Sequence, residues 1–245
     1  MFDFLFNKNK LPKKVELASN YQGFWDKIPL GKTIDSVITW NINDNNSLMI
    51  FGPTGSGKSI MIRTIIKYCL KTFDIHYIDI LKCDAPNYAN VATIYVTEED
   101  IQKCIHNLRV TKFEKPQLLL IEEIFELLCI WRKDKMDEIR DELLWLFEHG
   151  KDNNVFLATA SQNTPWKLKY DSIYWTEDWY NFFRKAVDSS VVTSLERYHK
   201  GDEIEIYNRE IPVPFDTQDA HIRGRGYIRI DNKLINYQAF YTSAV

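Results

Sequence analysis

The scarcities of this sequence narrow its class before any motif does. Its four cysteines, Cys69, Cys83, Cys104 and Cys129, lie far apart with no Cys-x-x-Cys pair, which argues against a zinc or disulfide framework. Buried thiols in a reducing, cytoplasmic setting suit them better. No run approaches the roughly 20 apolar residues that a membrane span needs, so no integral membrane segment is expected. The stretch Met1 to Lys8 lacks the apolar core and cleavage site of a secretory signal. A formal net charge of −3 and a pI near 6.0 exclude a protein that coats nucleic acid by bulk electrostatics. Any contact with nucleic acid must therefore be local. There is no internal repeat.

What is present is ample material for a core: 45% of the 245 residues are hydrophobic and 14% aromatic, far from the composition of a disordered chain. The length suits one domain with modest appendages. Residues 1–20 read as an N-terminal arm, because Pro12 and the lysines at 8, 10, 13 and 14 discourage a buried element. Its phenylalanines fit a packed or frayed terminus better than a membrane-surface contact. Residues 21–245 read as the main domain, with a nucleotide core over about 45–165 and a looser part over 166–245.

Apolar runs of strand length occur at 47–51, 75–81, 92–96, 118–121 and 155–161. Helical spacing of apolar residues occurs at 60–70, 101–108 and 134–149, and Thr97-Glu-Glu-Asp100 has the form of a helix start. Strands alternating with helices predict an α/β fold with a mainly parallel sheet covered on both faces. Beyond Pro165 aromatics cluster up to Phe183. A helix is expected over 189–198, and two late strands over 226–231 and 234–240 are expected to form a hairpin.

Between the first strand and the first helix stands Gly52-Pro-Thr-Gly-Ser-Gly-Lys-Ser59, a complete Gly-x4-Gly-Lys-Ser phosphate loop. Gly52, Gly55 and Gly57 allow backbone N–H groups to curl around phosphates, together with Pro53, Thr54, Ser56 and the helix start at Ile60. Lys58 reaches the β and γ phosphates of ATP, and Ser59 supplies a hydroxyl to Mg2+. Hydrolysis further needs an acid on the metal side and a group that polarises water. Glu122 and Glu123, at the end of the strand 118–121, are the candidates for these two tasks. The alternative is an exposed acidic pair opening the next helix. Gln162, just after the strand 155–161, is a candidate γ-phosphate sensor or an ordinary turn residue.

These stretches, taken in order, resemble the FtsK/SpoIIIE family of DNA-translocating motors within the larger FtsK and HerA group. Leu30-Gly-Lys-Thr-Ile34 is similar to a segment the family carries ahead of the loop, and Gly55-Ser-Gly-Lys-Ser59 matches the loop itself. Leu120-Ile-Glu-Glu-Ile-Phe-Glu-Leu-Leu128 resembles the family's strand and acidic pair, Gly150 to Gln162 matches its next stretch, and Gly224-Arg-Gly-Tyr-Ile228 resembles a late turn. Residues 165–222 match poorly. Most relatives have Asp where this chain has Glu122, one methylene longer. The membrane region and the DNA-reading winged-helix module of the septal translocases have no counterpart, so the chain looks more like compact motors of plasmids, integrative elements or viruses.

The resemblance implies a RecA-like core, assembled as a homo-oligomeric ring, usually a hexamer, that drives duplex DNA through its channel with ATP. Its partners would then include a relaxase, replication proteins or a capsid. An arginine from the next subunit would complete each site, with Arg184 as the choice and Arg140 and Arg197 as alternatives. DNA contacts would be to backbone phosphates, with Lys167, Lys169 and Trp166, or Arg223 and Arg225, as candidates. A viral genome-packaging ATPase, or an ATP-switched recruiter that couples a DNA-processing complex to a partner, are the other readings.

Overall fold

The computed structural model describes residues 11–12, 14–18, 21, 23–129, 133–162, 177–195, 203–206, 209–212, 222–230 and 233–242. Its centre is one extended sheet. The strands are β1 (Val15–Glu16), β2 (Lys27–Lys32), β3 (Val37–Asn41), β4 (Ser47–Phe51), β5 (Asp74–Asp79), β6 (Thr93–Tyr95), β7 (Gln117–Glu122), β8 (Val155–Ser161), β9 (Val191–Leu195), β12 (Arg225–Ile230) and β13 (Lys233–Tyr241). A separate antiparallel pair is made by β10 (Glu203–Ile206) and β11 (Arg209–Pro212). The sheet runs β3-β2-β13-β12-β9-β4-β8-β7-β5-β6, with β1 added beside β13. From β9 to β6 every pairing is parallel, and from β9 outward to β3 every pairing along the sheet is antiparallel. Strand β9 is the seam between the two halves.

Alternation along the central strands sorts side chains to two cores, as the period of two requires. Leu48 and Ile50 of β4 face helix α1 (Lys58–Cys69), joining Met61, Ile62, Ile65 and Ile66. Met49 and Phe51 point the other way, into a core shared with α2 (Glu98–Val110), α3 (Ile124–Cys129), α4 (Lys133–His149) and α5 (Glu177–Asp188). Strand β4 is buried along its whole length, which explains its unbroken apolar run. Helix α2 begins as its sequence predicts: Thr97 Oγ1 accepts a hydrogen bond from the Asp100 amide at 3.2 Å, and acids at 98–100 fill the first turn.

The parallel strands and their helices fall where the apolar patterning places them. Two regions differ. The expected helix over 189–198 is instead strand β9 at 191–195, because the β-branched run Val191-Val-Thr193 lies directly beside β4. Residues 196–198 lie outside the described ones. Ahead of the phosphate loop, β2 and β3 form a hairpin with a register shift between Pro29 and Gly31, burying Ile28, Leu30, Ile38 and Trp40. The late hairpin β12–β13 forms as expected, and within the arm Val15 and Glu16 run parallel to Phe240 and Tyr241.

Candidate nucleotide site

The carboxyl ends of β4, β5, β7 and β8 open on the same edge of the sheet, and each delivers one part of the site. Strand β4 ends at Phe51 and the chain turns through Gly52–Gly57 into α1. Gly52, Gly55 and Gly57 have φ of 155°, 77° and 115°, backbone conformations that L side chains rarely adopt. At Gly52 a Cβ would stand 2.0 Å from the Leu195 carbonyl oxygen and 2.6 Å from Ser56 Oγ. Only glycine fits there. Pro53, Thr54 and Gly55 lie at the surface end of the loop, Ser56 is buried, and Ser59 and Ile60 are half-buried in the first turn of α1. That turn contains no acid to compensate the helix's positive end.

Lys58 is 9% exposed and its Nζ donates to the Gly52 carbonyl at 2.7 Å. The same ammonium lies 3.8 Å from Glu123 Oε1. Burial pulls it below the usual lysine range, while the carboxylates of Glu123 and Glu122 oppose that shift. Glu123 leaves β7 with φ of 54°, a strained value for a side chain with a Cβ, and its carbonyl then accepts the Leu127 amide to open α3. Its Oε2 accepts a hydrogen bond from the Gln162 amide at 3.0 Å. Thr54 Oγ1 donates to Gln162 Oε1 at 2.8 Å, which leads back to the phosphate loop. Lys58, Glu123, Gln162 and Thr54 are thus joined in one polar circuit across three strand ends.

Glu122 lies on the other side of β7, on the face toward α1. Burial pushes its carboxyl up to about 8, and the nearby charges of Asp84 and Asp79 reinforce the shift. Its Oε1 is buried without a hydrogen-bond partner. A polar oxygen orphaned among acids suits a divalent cation nearby. Among the described residues no group of three or more His, Cys, Asp or Glu side chains could hold a metal, so a cation here needs phosphate oxygens as co-ligands.

The arginines separate. Arg184 is exposed on α5, next to Phe182 and Phe183, which are buried against Phe147 and Phe125. Arg140 pairs within its own helix with Asp137 at 3.0 Å and Asp141 at 3.6 Å. Arg197, Trp166, Lys167 and Lys169 lie outside the described residues. Arg223 is exposed, whereas Arg225 turns inward. Its guanidinium donates to Gln238 Oε1 at 3.1 Å and to the Leu11 and Pro12 carbonyls at 3.2 and 3.0 Å, so it holds the fold together rather than facing a channel.

Sequence reasoning misses a brace on the loop. The Gly224 amide donates to the Ser56 carbonyl at 2.7 Å, and a Cβ on Gly57 would come within 3.2 Å of Gly224. The only trace in the sequence is the glycine pair 224 and 226, which reads as a turn without saying what the turn touches. Tyr77 and Tyr88, buried beside Glu122, carry no signal at all beyond their apolar neighbours.

The parallel strand order, with β8 inserted between the phosphate-loop strand β4 and the acid-bearing β7, defines a RecA-like P-loop NTPase. A family model described as "ATPase family associated with various cellular activities (AAA)" matches residues 48–173, just over half of the 245. The chain belongs to that family, and it is an ATPase. No curated protein matches its sequence significantly. Among solved structures it is similar to the conjugation coupling protein TcpA of pCW3, in monomer form with ATPgS, with a TM-score of 0.72 and 17% identity over 96% of this chain and 71% of that one. It is also similar to the cytoplasmic domain of the type VII secretion ATPase EccC of Thermomonospora curvata, with a TM-score of 0.67 and 16% identity over 96% of this chain and 28% of that one. EssC ATPases 2 and 3 of Geobacillus thermodenitrificans give 0.66 and 14%, covering 95% and 45%. The chain therefore spans most of the solved coupling protein but less than half of the EccC or EssC chain. No helix among the described residues is long and apolar enough to cross a membrane.

Proposed function

We propose that this chain is an ATP-hydrolysing motor of the FtsK/SpoIIIE type that binds and moves duplex DNA as a homo-oligomeric ring, in transfer, replication or packaging of a mobile element or virus genome. The observation that carries the hydrolytic part is the polar circuit through Lys58, Glu123, Gln162 and Thr54. It sets a phosphate-seeking ammonium, a carboxylate and an amide at one point of the sheet edge, as phosphoryl transfer to water requires. Gly52 to Ile60 cradle the phosphates. Glu123 polarises the attacking water, and Gln162 senses the γ phosphate through the bond that Thr54 now makes. Ser59 and Glu122 hold Mg2+, which when bound neutralises charge on the phosphate oxygens.

The DNA part is supported by the ordered resemblance from Leu30 to Ile228 and by the fold shared with a conjugation coupling protein. Residues 21–245 act as one motor domain, 1–20 as an arm, and exposed Arg184 serves the neighbouring subunit's site. Backbone phosphates are the contact sought by Arg223 and by Lys167 and Lys169. A relaxase, a replication complex or a capsid is the partner expected beside the ring.

One observation favours a second reading. Glu122 carries one methylene more than aspartate, a feature that suits slow turnover in an ATP-switched recruiter. Steady-state hydrolysis with and without long duplex DNA separates the two. The motor requires turnover that rises severalfold with DNA and is lost in Lys58→Ala and Glu123→Gln. Tight ATP binding with negligible turnover at every DNA length points to the recruiter.

A further inference from the structure

Five buried side-chain oxygens without a hydrogen-bond partner are found among the described residues, and three of them, Tyr77 Oη, Tyr88 Oη and Glu122 Oε1, belong to one cluster. Buried phenols usually find partners, so such a concentration marks a place where a group is to be held rather than a packing accident. Tyr77 is on β5, whose residues pair with β7 in the register Tyr77 to Leu120 and Asp79 to Glu122. With a period of two, Tyr77, Leu120 and Glu122 share the face toward α1, and Tyr77 is the diagonal neighbour of Glu122 across the strand pair. The Tyr88 ring packs 4.8 Å from the Tyr77 ring and fixes its orientation. Arg63, one turn beyond Ser59 on α1, stands beside the Tyr88 hydroxyl. Asp79 is already committed, its Oδ2 accepting the Asp84 and Ala85 amides at 2.8 and 2.7 Å.

We propose that Tyr77 is a positioning residue for the metal-side acid: its hydroxyl, reaching across from β5, steers the longer Glu122 carboxylate toward the cation. This rests on the reading of Glu122 as the acid on the metal side. Glutamate has one more rotatable bond than aspartate, and magnesium accepts only closely placed ligands, so the extra freedom has to be removed by a neighbour. Tyr77 is the buried phenol diagonal to Glu122 on that face, and neither its hydroxyl nor Glu122 Oε1 has a hydrogen-bond partner. With a cation bound, the phenol would donate to the Glu122 carboxylate and leave its remaining lone pairs to the metal side. Tyr88 supports the ring, and Arg63 ties the pair to the helix that carries Ser59. Outer partners of this kind alter metal affinity by about 10- to 100-fold.

The test is calorimetry of ATPγS binding to the full chain, with Mg2+ and with EDTA. Tyr77→Phe keeps the ring, so the melting temperature and the affinity in EDTA stay at their wild-type values. The enhancement of affinity by Mg2+ falls about tenfold, and the Mg2+ concentration for half-maximal hydrolysis rises by a similar factor. In a Glu122→Asp background, where the shorter side chain needs no steering, Tyr77→Phe produces no further loss. Equal weakening with and without Mg2+, an unchanged enhancement, or the same loss in both backgrounds overturns the positioning role. If Glu122→Gln abolishes the enhancement and Tyr77→Phe does not, positioning alone fails. If Glu122→Gln also leaves the enhancement intact, the metal-side reading of Glu122 falls and takes the role of Tyr77 with it.

Discussion

The two halves of the sheet do different work around the same loop. The parallel half, β4 to β6, brings Lys58, Glu122, Glu123 and Gln162 to one edge. The antiparallel half, β9 to β3, contributes no side chain to that circuit, yet it presses its backbone on the phosphate loop through Leu195 and Gly224. In the proposed mechanism chemistry comes from one side of the loop, while its shape comes from the other. Substitutions in the first half should therefore alter turnover with little effect on folding, and substitutions in the second should do the reverse.

The largest expected effect lies in the parallel half. Lys58→Ala and Glu123→Gln should each lower ATP hydrolysis at least about 100-fold, as loss of charge stabilisation or of a general base does. Their urea midpoints should remain near that of the wild type. A large shift in those midpoints would break the division, because it would make the catalytic circuit a structural one as well.

At the seam, Gly52→Ala should lower stability by about 3 kcal/mol, because its Cβ would meet the Leu195 carbonyl oxygen at 2.0 Å and the backbone would be strained at φ of 155°. Chemical denaturation measures this loss, and nucleotide binding should fail with it. On the far side, Arg225→Ala removes donors to Leu11, Pro12 and Gln238 and should lower stability by about 1–3 kcal/mol. Turnover at saturating ATP and at a temperature well below the melt should fall less than about threefold, the mark of a brace. The smallest effect is expected at Gly224→Ala, where φ is 80° and the Cβ would meet the buried Gln238 amide nitrogen at 2.9 Å, its one contact under 3.0 Å. A cost of about 1 kcal/mol should come with a modest rise in KM for ATP, since the strained turn would hold its amide less firmly against the Ser56 carbonyl.

The same division explains how much is legible in the sequence. Strands β4, β7 and β8 are buried almost throughout, so they appear as unbroken apolar runs, and the glycine spacing of the loop marks the turn after β4. Glu122, Glu123 and Gln162 fall at strand ends because those runs stop there. The antiparallel half sends weaker signals. In β3 the exposure alternates along Val37-Ile-Thr-Trp-Asn41, and β2 contains Pro29 and Gly31, which interrupt any pattern. Strand β9 escapes the pattern because Val191 to Leu195 is equally compatible with a buried helical turn. Only its place beside β4 decides. Nor does a single chain's pattern say that Gly224 meets Ser56 from 168 positions away, or that Tyr77 lies across from Glu122, because both contacts depend on strand order rather than on local preference.

Directional movement along DNA is the central claim for this chain. The direct measurement is ATP-driven displacement of a third strand bound to a long duplex track, with the complete chain and with Lys58→Ala. A motor of this kind gives displacement that requires ATP hydrolysis, grows with track length on one side of the bound strand and vanishes in Lys58→Ala. Rapid ATP turnover on the same track with no displacement in either direction would contradict it.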